Sequence, residues 1–193
     1  EEIKEEAKEV EEEELSIEGI FVAAASKSNY FNSTDGFKYC VYNAVVNGEV
    51  ETLAVRADIL TKYQLKNNGL FSKAVYAKNE NVAEAFTAYT KSLYVAGKGI
   101  SALQGDYTVR IAGKEYTLAT GAKVFYVDED GVIEEITPEE IVADLNDEVV
   151  ATFSSKAKTV EAIYIQIVKG GDVPTTGEVL ANVEYPLVGY SKV

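Results

Sequence analysis

Histidine, methionine and tryptophan are absent from the 193 residues, and cysteine occurs once, at Cys40. Without histidine there is no Ser-His or Cys-His dyad and no imidazole to hold a metal. A single cysteine closes no intrachain disulfide. Cys40 sits in the strand-like run Phe37-Lys38-Tyr39-Cys40-Val41-Tyr42, where a small buried apolar residue is the ordinary reading and a reactive thiol or an intermolecular bridge the lesser ones. Positive charge is scarce as well: 18 Lys and Arg against 32 Asp and Glu leave a formal net charge of −14. Lys62, Lys66, Lys73 and Lys78 stand singly among neutral residues. No basic patch therefore offsets the repulsion that a nucleic-acid backbone or an anionic bilayer would meet. No apolar run approaches the roughly 18 residues of a membrane-spanning helix, and no signal peptide is visible. The missing initiator methionine reads as a processed chain or an excised piece.

Apolar residues make up 47% of the chain, ample for a packed core in one domain or two small ones. An acidic chain nearly free of cysteine fits a secreted bacterial surface protein, so an extracellular location is expected. Residues 1–14 hold nine glutamates and two lysines, half of the net charge. Ile3, Ala7 and Val10 recur there at helical spacing, a thin stripe on a charged helix that is either solvated or docked on a neighbouring subunit.

From residue 17 the grammar is β, and it is written twice. Ile20-Phe21-Val22-Ala23-Ala24 and Leu93-Tyr94-Val95-Ala96-Gly97 each open a run of hairpins. Val82-Ala83-Glu84-Ala85-Phe86 and Val160-Glu161-Ala162-Ile163-Tyr164 close them. Asn47-Gly48 predicts a type I′ turn between strands 37–46 and 50–55, because both central residues of that turn need positive φ. Residues 27–36 read as a polar loop. An apolar face at Ile59, Leu60 and Tyr63, ending at Gly69, predicts a helix over 57–68. Hairpins are expected for 70–77 with 82–89, 106–111 with 115–118, and 122–127 with 132–136. Thr137-Pro138-Glu139-Glu140 has the capping-box pattern and predicts a helix running to about Asn146. Strands 148–153 and 160–168 follow. The Gly-, Pro- and Thr-rich stretch 170–177 reads as a linker, and 178–185 as a terminal strand that must join an earlier sheet, pair with another subunit or hang free.

The stretches Gly113-Lys114-Glu115-Tyr116-Thr117-Leu118, Ala122 through Gly131, and Ile136-Thr137-Pro138-Glu139-Glu140-Ile141 resemble repeat modules of large cell-surface proteins of Gram-positive bacteria. Such proteins often also carry S-layer homology domains, although no wall-anchoring motif of that kind is recognisable here. The resemblance covers roughly 92–168 well and 17–90 loosely. It implies small β-rich modules in a surface lattice or stalk, and no catalytic signature.

Candidate sites have plain structural readings. Asp128-Glu129-Asp130-Gly131 invites calcium, but its glycine does not fall where an EF-hand loop needs it, and a hairpin turn is the stronger reading. Gly97-Lys98-Gly99-Ile100 lacks the strand-to-helix context of a phosphate loop. Glu134-Glu135 and Glu139-Glu140 are adjacent pairs, and adjacent strand residues face opposite sides, which disfavours a glycosidase pair. Among the 13 tyrosines, most read as strand residues, while Tyr30 and Phe31 are the best candidates for an exposed sugar-stacking platform.

The fold class expected is mainly β: two small β modules, barrel- or sandwich-like, each with a short helical insert, plus an N-terminal acidic helix. The division is 1–16 acidic helix or linker, 17–90 first module, 91–169 second module, and 170–193 linker and terminal strand. The expected role is that of a structural subunit of an extracellular bacterial surface assembly, such as an S-layer, stalk or filament, forming a homo-oligomer or polymer through strand edges and the terminal strand. The alternative is a module binding cell-wall glycan or another carbohydrate. No enzyme activity, catalytic or metal residue set, nucleic-acid partner or membrane insertion is expected, and no cofactor, calcium being the weak exception.

Overall fold

The computed structural model describes residues 17–23, 28–33, 38–56, 69–76, 82–105, 107–167 and 177–183. The expected acidic helix at 1–16 and the helical insert at 57–68 lie outside the described residues. What is described is mainly β. The first sheet contains β1 (Ile20–Val22), β2 (Ser28–Ser33), β3 (Lys38–Val46), β4 (Glu49–Arg56), β5 (Leu70–Tyr76) and β6 (Val82–Ala88). The second contains β7 (Tyr94–Ile100), β8 (Thr108–Ile111), β9 (Lys114–Val127), β10 (Ile133–Ile136), β11 (Asp144–Phe153) and β12 (Val160–Gln166). A last strand, β13 (Gly177–Val183), returns to the first sheet.

Both sheets close on themselves. In the second, β7 pairs β8, β8 pairs β9, β9 lies parallel to β12, and β11 bridges β12 back to β7, making a small barrel with β10 attached to β9. In the first, β1 pairs both β3 and β5, β3 pairs β4, β4 lies parallel to β6, and β6 pairs β5. The order of pairings around the two rings is the same, with the parallel contact at the same step. Closure leaves few free strand edges, which removes the usual route to unspecific sheet pairing.

The turns form where local chemistry demands them. Asn47 and Gly48 take φ of 50° and 84° between β3 and β4, as a two-residue I′ hairpin requires. The second helical insert does not form. Thr137 and Glu140 do make the capping box, with the Thr137 N–H donating to Glu140 Oε1 at 2.7 Å, but the helix stops after a 3-10 turn at Pro138–Glu140. A capping box starts a helix; only an apolar face propagates one. Beyond Ile141, which is buried, Val142 and Leu145 are 79% and 81% exposed, and from Asp144 the chain pairs with β7 and β12 instead. The polar loop expected at 27–36 is also corrected: Ser28–Ser33 is a strand on β3. Its main-chain groups complete a ladder whatever the polarity of its side chains.

The two sheets share a core, and residue parity shows how. Along β12, Ile163 and Ile165 point into the second barrel with Val124, Val149 and Ala151, whereas Ala162 and Tyr164 face the other way. There they meet Phe21, Ala23, Val45 and Leu70 of the first sheet, joined by Phe125, Val127 and Val150. Strand β12 is therefore buried on both faces, as its nearly unbroken apolar run implies. The Phe21 ring stacks on Tyr164 with centroids 4.3 Å apart and planes within 6°, and Tyr164 stacks in turn on Phe125 at 5.5 Å. Polar contacts rim this apolar seam: Lys123 Nζ donates to the Gly48 carbonyl at 3.1 Å and Asn43 Nδ2 to the Gly131 carbonyl at 2.8 Å.

Candidate functional site

The residues singled out in the sequence fall on turns and strands of the two sheets. Asp128 Oδ1 accepts the N–H groups of Asp130 at 2.9 Å and Val132 at 3.0 Å, so its carboxylate closes its own turn, and Gly131 supplies the positive φ. Among the described residues no group of three or more acidic or cysteine side chains is placed to hold a metal ion. Gly97 and Gly99 lie inside β7; a Cβ on Gly97 would come within 2.7 Å of the Ala112 Cβ, which gives this glycine a packing reason. Glu134 and Glu135 occupy successive positions of β10 and are both exposed. Tyr30 and Phe31 belong to β2, not to a loop, and Cys40 lies in β3 opposite Tyr30 and Val55.

Two places offer something further. One is the end of the first sheet. There β13 lies parallel to β2, in register from Gly177 opposite Ser28 to Val183 opposite Ser33, with an irregularity after Leu180. A strand arriving from the far end of the chain thus covers what would be an open edge.

The other is a pocket of about 290 Å³ on the second barrel. It exists because β9 bulges. From Val160 to Ala162 β12 advances two positions, while its partners on β9 advance from Leu118 to Lys123. The surplus falls within the small-residue run Ala119-Thr120-Gly121-Ala122, which stands opposite the single Glu161, with Gly121 at φ 83°. Tyr107, the buried Leu118, and Pro138 and Glu139 of the 3-10 turn complete its lining. Tyr107 is 57% exposed and held at φ 59°, an uncommon backbone conformation for an aromatic residue. Its N–H donates to the Gly105 carbonyl at 2.8 Å, and its own carbonyl accepts the Leu118 N–H at 2.9 Å. No motif marks Tyr107 in the sequence. The available signal is the interval 119–121 left between two expected strand segments, which is where the bulge lies.

Electrostatics concentrate at the seam between the sheets. Burial, followed by the charge of Glu18, raises the Glu161 carboxyl above its ordinary range. Burial, followed by Glu161 and Glu18, likewise raises the Tyr89 hydroxyl. On the second sheet burial and then Asp144 raise Asp147. A carboxyl whose pKa is higher folded than unfolded keeps the folded state better protonated, so stability falls as pH rises through the window between the two values. That window opens near 4.5 for Glu161. Glu161→Gln is therefore expected to raise the melting temperature at pH 7 and to flatten its decline above pH 4.5. Thermal melts across pH 4 to 8, about the range over which carboxylates complete their titration, provide the check. An unchanged pH profile would remove Glu161 from the account. Comparison of the chain with protein-family models, with curated proteins and with solved structures found no match.

Proposed function

We propose that this chain is a structural module of an extracellular bacterial surface assembly, such as an S-layer, stalk or filament, that associates with its own copies by strand exchange. The observation that carries the reading is β13 seated in parallel on β2. Such a seat is defined by main-chain hydrogen bonds and register, so the same strand of a neighbouring copy fits it equally well, and the exchange requires no new contact. The stretch from 168 to 176, rich in Gly, Pro and Thr, gives the strand a tether of linker composition. The common order of pairings in the two closed sheets supports a modular, load-bearing role in the same sense. The net charge of −14 keeps free copies apart until cations screen it.

A cysteine pair tests the exchange. Tyr30 and Val179 are Cα partners across β2 and β13, and neighbouring strands lie about 4.8 Å apart, within reach of a disulfide. In a Cys40→Ser background, Tyr30→Cys with Val179→Cys is expected to give a ladder of disulfide-linked oligomers when oxidised at high protein concentration, and a closed monomer at high dilution. Removal of residues 177–193 is expected to reduce the particle size to a monomer by light scattering. If the particle size survives that deletion, strand exchange is not the mechanism of assembly.

A further inference from the structure

We propose that the pocket on the second barrel is a subsite for one uncharged sugar ring of a glycan, with Tyr107 as its stacking face. Four features converge there. The first is shape: about 290 Å³ sits just below the roughly 300–1,000 Å³ of pockets for drug-sized ligands, a scale suited to a single ring. The second is the presence of two flat apolar side chains, Tyr107 and Pro138, in one lining. A pyranose presents an apolar C–H face to an aromatic ring and hydroxyls around its edge, and the amphipathic tyrosine suits that division. The third is the polar complement. Thr120 offers a hydroxyl and Glu139 a carboxylate on the same lining, groups that exchange hydrogen bonds with sugar hydroxyls.

The fourth is strain. Tyr107 is held at φ 59° and remains 57% exposed, so neither backbone preference nor burial accounts for an aromatic residue at this position. Glycine would serve the turn better. A tyrosine kept where its backbone is disfavoured and its surface is exposed is explained by a ligand that its ring would stack on. Glu139 and the overall charge of −14 weigh against phosphorylated or acidic ligands, leaving neutral glycans as the class.

Calorimetric titration of the full chain with chitohexaose, cellohexaose and mannohexaose tests the site directly. At least one is expected to bind with a dissociation constant of about a millimolar or below. Tyr107→Phe is expected to retain that affinity within about twofold, and Tyr107→Ala to lose it by tenfold or more, since the ring and not the hydroxyl does the stacking. Tyr107→Gly separates binding from folding: it should abolish binding while raising the melting temperature by about 2–4 °C through relief of the backbone strain. No heat with any of the three hexaoses, or undiminished heat with Tyr107→Ala, overturns the proposal. So does a fall in oligomer size on Tyr107→Ala without sugar binding, which would assign the pocket to a second copy of the chain. Loss of assembly after removing residues 177–193 bears on strand exchange alone, so the two readings fail separately.

Discussion

Replacing Phe21 with alanine is expected to destabilise the protein by about 3–5 kcal/mol, the usual cost of removing a buried phenylalanine. Phe21 is fully buried, and its ring lies 4.3 Å from Tyr164, itself 1% exposed and stacked on Phe125. Phe21 belongs to β1, while Tyr164 and Phe125 belong to β12 and β9, so the cavity opens at the seam and both sheets lose partners. Against a typical stability of about 5–15 kcal/mol this is a large fraction, and at roughly 2–4 °C per kcal/mol the melting temperature should drop by about 10 °C. Phe21→Leu keeps most of the volume and should lose little beyond the stacking contribution, about 0.5–1.5 kcal/mol. Urea denaturation followed by near-ultraviolet circular dichroism reads both effects. A single transition shifted as a whole is the expected form, because the sheets share the seam core. A loss below about 1 kcal/mol, well under the range for such truncations, or a second sheet that unfolds at its original midpoint, would show that the seam does not couple them.

Gly69→Ala is expected to be nearly as damaging for a different reason. Gly69 has φ of 80°, and a Cβ placed on it would stand 2.5 Å from the Val22 carbonyl oxygen. The neighbour is backbone, which cannot swing aside as a side chain can. Val22 is also tied to this residue, its N–H donating to the Gly69 carbonyl at 2.7 Å, so the strain falls on the first turn of the ladder between β1 and β5. Left-handed backbone costs about 1–3 kcal/mol for a residue with a Cβ, and the overlap adds to it, giving about 2–4 kcal/mol in all. A melting temperature within about 2 °C of wild type, equivalent to under 1 kcal/mol, would contradict this account.

How far the fold could be read from the sequence depended on whether the signal was local. Asn47-Gly48 takes positive φ at both positions, and a turn that needs such geometry announces itself by composition; Ala112-Gly113 adopts the same signs with only its glycine to mark it. The strands on either side follow from alternation. The expected helix after Pro138 failed because its start signal is local but its continuation depends on tertiary burial, and Val142 and Leu145 find none. Residues 28–33 hid for the opposite reason: β2 is held by main-chain pairing to β3 and β13, so its polar composition disguised it. The pocket was out of reach altogether. Its walls come from Tyr107, residues 118–122 and the turn at Pro138, and only the bulge in β9 and the closure of the barrel bring them together. Tyr30 and Phe31 stand out in the sequence as aromatics in a polar stretch, whereas nothing in its neighbours marks Tyr107.

The parallel seating of β13 on β2 also determines how the molecule meets tension. Strands β1 and β2 both run antiparallel to β3, and β13 runs the same way as β2. A pull between the two ends of the described chain therefore acts backward on β1 and forward on β13, and it reaches the β13–β2 ladder through β3, to which β1 and β2 are both paired. The ladder is loaded in shear, with its hydrogen bonds sharing the force together. An antiparallel terminal pair pulled the same way would peel apart one bond at a time.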